Sequence, residues 1–370
     1  RTIEVLDRGA FAAAAAGRPG GATGELARRA GGERHSAETV IIDCGARPAI
    51  PPIPGLDSVR WLDNRRAMEL TRVPDHLVVL GAGYVGCEFA QMMGRFGARV
   101  TLLNRGDRLL GREDPEVSTA VEEIFRNEGI AVVHGARVER VRSALGEGTG
   151  GDVLVVLEDG RELRASHLLV ATGRRPNTDD LGCDAAGVRL DPRGFIGTDD
   201  WYRTSAPGVY AVGDVAGEPQ FTHVSWDDHR LLLGLLLGTS RRGRSGRLVP
   251  YVIYTDPQVA RVGLSESDAR AQGVAYEAAT LPYTAVARAR EVDETAGLLK
   301  VLIDPATERV LGATIVGAEA GELLHVFIAL MQAGASARAI VDAQFVHPSF
   351  AEGVQSVVMA VPRFERPPAD

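Results

Sequence analysis

Four short glycine motifs, and the order in which they fall, constrain this chain more than any other feature. Cys44-Gly45-Ala46-Arg47-Pro48 comes first and Gly81-Ala82-Gly83-Tyr84-Val85-Gly86 follows. Then come Ala171-Thr172-Gly173-Arg174-Arg175-Pro176 and Tyr210-Ala211-Val212-Gly213-Asp214. A lone G-x-G-x-x-G carries little information. Set between two A-T-G-like turns and ahead of a late Gly-Asp, it describes one dinucleotide-binding domain inserted into another. No second G-x-G-x-x-G precedes Cys44, and no C-x-x-x-x-C occurs in the sequence.

The inserted unit is the clearest stretch. Leu77 to Leu80 reads as a buried strand ahead of the glycine loop. Val85, Phe89, Met92, Met93 and Phe96 then recur at helical spacing, and Gly97 ends that helix. Arg99 to Leu103 is the next strand. Asp114-Pro115 gives an N-cap and a first-turn proline. Val117, Ala120, Val121, Ile124 and Phe125 form the buried stripe of a second helix, which Gly129 closes before a third strand, Ile130 to Val133. This is the right-handed, parallel dinucleotide-binding half. Val153 to Leu157 and Glu162 to Arg164 predict a hairpin around Asp159-Gly160, and His167 to Ala171 leads out of the unit. Residues 8–35 predict a loose hairpin or loop. Arg241, Arg242, Arg244 and Arg247 predict a solvated link. Beyond it, Gly297 to Ile303 and Arg309 to Val316 predict antiparallel strands. Leu323, Leu324, Phe327, Ile328 and Met331 stripe a helix of a separate α+β domain.

Composition closes off other classes. A net charge of −8 argues against nucleic acid as a partner, and no apolar run reaches the length of a membrane span. Cys44, Cys87 and Cys183 have neither metal-site nor disulfide-framework spacing, which suits a reducing cytoplasm. Cys87 and Cys183 read as structural, and Cys44 shows no partner in the sequence.

The chemistry of the loop follows from its glycines. Gly81 allows the tight turn, Gly83 lets backbone approach a pyrophosphate, and Gly86 lets helix and strand pack closely. The helix N-terminus offers N–H groups and partial positive charge to the diphosphate. An acid at the tip of the second strand would bind the ribose 2′-OH of NADH. The tip reads Leu103-Asn104-Arg105-Gly106-Asp107-Arg108 instead. Asn104 stands at the tip, and Arg105 and Arg108 suit a 2′-phosphate, so NADPH is expected over NADH.

With these motifs the chain resembles the pyridine nucleotide–disulfide oxidoreductase family, within it the mercuric-reductase and dihydrolipoamide-dehydrogenase branch. Further matching motifs are Pro51-Pro52-Ile53-Pro54-Gly55, Arg112-Glu113-Asp114-Pro115, Thr255-Asp256-Pro257-Gln258-Val259 and His347-Pro348-Ser349-Phe350-Ala351-Glu352. The resemblance implies an α/β fold with a Rossmann-type NAD(P)-binding domain inserted in a truncated FAD-binding domain, plus a C-terminal α+β dimerisation domain. The expected domains are residues 1–70 (remnant of the FAD domain), 71–170 (NAD(P) domain), 171–248 (second part of the FAD domain) and 249–370 (dimerisation).

It further implies FAD and NAD(P)H as cofactors, hydride transfer from nicotinamide to flavin, and a homodimer with a small-molecule electron acceptor. Asp214 is expected to hydrogen-bond the ribityl chain, with Gly213 allowing close approach and the turn at Gly173 lying beside the cofactors. Thr222 and His223 open a helix whose positive end faces the flavin pyrimidine ring. Tyr84 is expected over the flavin until nicotinamide displaces it, with Glu88 near the nicotinamide. His347 and Glu352 match the family's acid–base pair, which reaches the partner subunit's active site.

Two parts of the pattern are missing from these residues: the first FAD-binding strand–loop–helix unit and the redox-active cysteine pair. The expectation is a truncated copy, or another segment that supplies them, with weak FAD retention and no dithiol relay in residues 1–370 alone. The alternative is a catalytically silent, nucleotide-binding dimer without flavin.

Overall fold

The computed structural model describes residues 2–5, 33–144, 152–217, 219–240 and 242–364. The loop expected over residues 8–35 lies mostly outside them; at its end Glu33–Ser36 pairs antiparallel with Thr2–Val5. The chain forms two compact units, residues 1–47 with 174–247 and residues 48–173 with 248–370.

The larger unit contains a five-stranded sheet that is parallel throughout. Its spatial order is Trp61–Leu62, His167–Val170, His76–Leu80, Arg99–Leu103, Ala131–Val133. The central strand His76–Leu80 is buried at all five positions, which is why it reads as a continuous apolar run rather than an alternating one. Helix Tyr84–Arg95 follows it and helix Pro115–Asn127 follows the next strand. Both are amphipathic and close on residues with left-handed glycines beyond, Gly97 and Gly129. The first helix differs from expectation at its end. It buries Cys87, Ala90 and Met93, while Phe96 at the C-cap is 62% exposed. The buried face is the one carrying Gly86, Cys87, Ala90 and Met93, and Phe96 falls off it. The expected hairpin is part of a three-stranded antiparallel sheet, Glu162–Ala165, Val153–Leu157 and Val138–Ser143. The third strand, V-E-R-V-R-S, is polar enough to read as loop.

The same unit holds a five-stranded antiparallel sheet in the order Tyr251–Ile253, Gln258–Gly263, Val310–Gly317, Leu298–Ile303, Glu277–Pro282. Helices Ala320–Gln332 and Glu352–Met359 cover its core through Leu323, Leu324, Phe327, Val354, Val357 and Val358.

In the smaller unit, Val40–Ile42 and Val209–Ala211 pair in parallel and lead to the Gly213-Asp214 turn and helix Thr222–Leu236. No helix among the described residues is long and apolar enough to cross a membrane.

Candidate functional site

The three loop glycines do three different things. Gly81 has φ +109°, and a Cβ there would lie 2.5 Å from the Ala171 carbonyl oxygen. At Gly86 a Cβ would lie 1.8 Å from the Gly81 carbonyl oxygen, so only glycine lets the helix sit this close to the strand. Gly83 is the contrast: it has ordinary φ, and nothing comes within 4 Å of its Cβ position. It forms the N-cap of helix Tyr84–Arg95 without a side-chain cap. The loop therefore presents a helix N-terminus over an unobstructed face, the arrangement that suits a bound anion.

The tip of the neighbouring strand is held as a unit. Asn104 is 9% exposed. Its Nδ2 donates to the Arg108 carbonyl at 2.7 Å and its Oδ1 accepts the Gly106 amide at 3.2 Å. Arg105 is exposed, while Arg108 is half-buried with its Nε buried and lacking a hydrogen-bond partner among the described residues. A buried guanidinium nitrogen without an acceptor favours a negatively charged ligand.

Helix Tyr84–Arg95 is docked by one face. Glu88 accepts the Tyr254 amide at 2.7 Å, Gln91 exchanges two hydrogen bonds with the Asp256 main chain, and Arg95 donates to the Asp256 carbonyl and to Glu128. Burial pushes the Glu88 carboxyl above the usual carboxylate range, against the Tyr254 amide that favours its ionised form. Tyr254 and Asp256 thus act as the dock for the glycine-loop helix. Tyr84 packs on the apolar core beneath that helix.

Arg112-Glu113-Asp114-Pro115 has a role beyond capping. Asp114 is the N-cap residue of helix Pro115–Asn127, but its carboxylate makes no cap bond there. It accepts Lys300 Nζ at 2.8 Å and the amides of Glu266 and Ser267 at 3.1 and 3.2 Å. Lys300, 2% exposed, also meets Glu116 and Glu266. Burial alone would raise Asp114, yet the lysine and the two amides outweigh it and hold the carboxyl below the usual range. The neighbouring Glu113 is buried and accepts the Tyr251 hydroxyl.

His347 and Glu352 come together as expected. The imidazole Nδ1 lies 2.9 Å from Glu352 Oε1, and Glu352 Oε2 accepts the Ser349 amide at 2.8 Å. The Ser349 amide, and after it His347, holds Glu352 below the usual carboxylate range. An ionised Glu352 fixes the proton on Nδ1, leaving Nε2 of a side chain 70% exposed to act as base or acid.

In the smaller unit Gly213 has φ +68°, and a Cβ would lie 2.7 Å from Asp43 Oδ1. Its amide donates to Asp228 Oδ2 at 2.9 Å. Asp228 also accepts the Tyr202 hydroxyl at 2.8 Å and Arg247 at 2.7 Å. Arg247 is therefore no part of a solvated link: its side chain is 10% exposed, and Arg244 lies over the Tyr202 ring. Arg241 lies outside the described residues. Asp214 pairs with Arg174 at 3.0 Å, and the buried Nε of Arg174 has no partner among the described residues. Thr222 and His223 are exposed at the start of their helix, whose N-cap residue Phe221 supplies no side-chain cap. Gly45 and Gly173 both have positive φ with open space at Cβ. Cys44 does have a partner: its thiol donates to the Asn177 carbonyl at 3.1 Å. Cys87 is fully buried, and burial raises its thiol far above the ordinary range.

Comparison with known proteins decides the family. Residues 16–228 match the model described as pyridine nucleotide-disulphide oxidoreductase, and residues 249–358 match the dimerisation domain of the same family. The chain belongs to the pyridine nucleotide-disulphide oxidoreductase family. This is a family of FAD-dependent oxidoreductases that use pyridine nucleotides. The chain is 35% identical over 326 residues to the probable pyridine nucleotide-disulfide oxidoreductase RclA of Escherichia coli, covering 88% of this chain and 73% of that one. It is 34% identical over 327 residues to a mercuric reductase of Staphylococcus aureus, covering 88% of this chain and 59% of that relative's length. Among solved structures, the Cu(II) complex of the Escherichia coli flavoprotein disulfide reductase RclA superposes with TM-score 0.83 at 34% identity, over 89% of this chain and 74% of that one. LpdA of Mycobacterium tuberculosis gives TM-score 0.81 at 30% identity, over 89% and 71%.

Proposed function

We propose that this chain binds NADPH in preference to NADH, takes up FAD, and works as a homodimer that moves electrons from the nicotinamide to a small-molecule acceptor. The observation that carries the reading is the division of labour in the glycine loop. Gly81 turns, Gly86 packs, and Gly83 leaves open the face where a pyrophosphate would lie. The preference for NADPH is supported by the absence of an acid at Asn104 and by the unpartnered Nε of Arg108, with Arg105 exposed beside it.

The flavin reading is supported by the left-handed turn at Gly213 and by the buried, unpartnered Nε of Arg174 beside Asp214, which suits ribityl oxygens. Asp214 and Gly213 would hold the ribityl side, and Thr222 and His223 would turn a positive helix end toward the ring. FAD, when bound, supplies two-electron chemistry that takes a hydride equivalent from the nicotinamide and releases electrons onward. Tyr84 would lie over the flavin until nicotinamide displaces it, with Glu88 near the nicotinamide. His347 would give or take a proton at Nε2 while Glu352 holds its Nδ1–H. The dimer reading is supported by the match of residues 249–358 to the dimerisation domain.

The test is a pair of equilibrium titrations. NADPH binds the unsubstituted chain more tightly than NADH. Arg105→Glu weakens NADPH more than NADH, by about 1–3 kcal/mol for a lost charged hydrogen bond. Equal affinity for both nucleotides in the unsubstituted chain contradicts the NADPH reading.

A further inference from the structure

Beyond the arginines that would meet a 2′-phosphate, the turn that carries them is tied to a side chain on the next strand. His134 follows strand Ala131–Val133 and is about three-quarters buried, its side chain 28% exposed. Its Nδ1 lies 3.1 Å from Asn104 Nδ2, and its Nε2 lies 2.9 Å from Glu122 Oε2 on helix Pro115–Asn127. The orientation of the Asn104 amide is fixed by its other bonds. Nδ2 must face the Arg108 carbonyl, and Oδ1 must face the Gly106 amide. The second hydrogen of Nδ2 therefore points at His134, so His134 Nδ1 accepts and Nε2 carries the proton to Glu122. The main chains are stitched at the same place. Asn104 N donates to Val133 O at 2.9 Å, Gly135 N to Gly106 O at 3.0 Å, and Ala136 N to Asn104 O at 2.9 Å.

Resting on the NADPH reading above, we infer that His134 is a positioning residue for 2′-phosphate selectivity, acting through Asn104 on the turn that bears Arg105 and Arg108. The line runs Glu122 to His134 to Asn104 to the Arg108 carbonyl. Each link has one donor and one acceptor, so it holds the turn in one arrangement without itself touching the nucleotide. Removing the Nδ1 acceptor leaves a buried amide hydrogen of Asn104 unpaired, and that amide regains a partner only by leaving the Arg108 carbonyl or the Gly106 amide. The expected consequence is a turn whose arginines are no longer pre-set for the extra phosphate. The glycine loop, which would hold the part of the nucleotide common to NADH and NADPH, is unaffected.

The experiment measures binding of adenosine 2′,5′-bisphosphate and of adenosine 5′-monophosphate to the full chain by calorimetric titration. The unsubstituted chain prefers the bisphosphate. His134→Leu lowers that preference about five- to tenfold, the scale of a lost buried hydrogen bond, with the monophosphate affinity unchanged. His134→Gln offers a carbonyl to Asn104 and an amide to Glu122, and it restores most of the preference. Glu122→Ala, which removes the partner of His134 Nε2, loses part of it. A residue that served only the fold would lower both affinities together and would not be rescued by Gln. A preference unchanged in His134→Leu and Glu122→Ala overturns the inference and leaves the NADPH reading standing. No preference in the unsubstituted chain overturns both.

Discussion

At the scale of single residues, Gly83 and Gly86 separate binding from folding. The two are three positions apart in one motif, yet one faces open space and the other faces a carbonyl oxygen. Gly86→Ala forces helix and strand apart and costs about 1–3 kcal/mol of overpacking, read as a lower denaturant midpoint. The Cβ that Gly83→Val adds meets no atom within 4 Å, so stability is expected to change by less than about 1 kcal/mol. Nucleotide binding is expected to be lost all the same, because on the proposed reading the added methyl groups would stand where the pyrophosphate would lie. Loss of stability in the Gly83 variant with binding intact would reverse these two assignments. The turn at Gly81 and the packing contact at Gly86 are legible in the sequence, since they lie within six residues. The His347–Glu352 pair is legible for the same reason, being five residues apart. Arg247 is not. Its partner Asp228 lies 19 residues back, and a run of arginines among glycines and serines looks the same whether it faces water or folds onto a buried carboxylate.

At the scale of elements, the parallel sheet and its two helices follow from periodicity, and so does the helix stripe Leu323, Leu324, Phe327. What periodicity leaves out is how elements are pinned to each other. Lys300 is the one charge in the strand L-L-K-V-L-I, a sign that it has a partner, but Asp114 is 186 residues away and local sequence cannot name it. Lys300→Met leaves Asp114 buried beside only two amides and the Ser267 hydroxyl as donors and is expected to cost about 3–5 kcal/mol, seen in the thermal or urea midpoint. The pH dependence has a definite sign. Asp114 has a folded-state pKa below its ordinary value, so its contribution is present above about pH 4 and is lost as pH falls through the depressed pKa. Lys300 is raised, because the three carboxylates outweigh burial, so its share is present at neutral pH and is lost only as strongly alkaline pH passes the raised value. A urea midpoint flat near neutrality and falling below about pH 4 is expected, with a smaller acid loss in Lys300→Met. An equal acid loss in both proteins would remove Asp114 from this account.

At the scale of the whole molecule, residues 249–358 match the family's dimerisation domain, and His347 within them is an exposed imidazole with its tautomer fixed. An exposed, oriented base suits use by a second copy. Sedimentation of the purified chain is expected to report a dimer at micromolar concentration, and a monomer would leave His347 without a site to serve. His347→Ala is expected to leave nucleotide binding unchanged and to slow proton-coupled turnover by about 10²–10⁴-fold, the usual span for a lost general acid–base group. The family could be read from the order of the glycine motifs, because the turns at Gly45 and Gly173 fall where the chain passes between its two units and the other two motifs lie one within each unit. The acceptor could not, because it is defined by residues that touch it and not by the scaffold. On the function proposed above, a nicotinamide whose pyrophosphate is held at the Gly81–Gly86 loop passes a hydride directly to a flavin. The most direct measurement is anaerobic addition of NADPH to the chain supplied with FAD, following the yellow flavin absorbance. Rapid bleaching with NADPH, slower bleaching with NADH at the same concentration, and none in Gly83→Val is the predicted result. Flavin that stays yellow while NADPH is bound would contradict it.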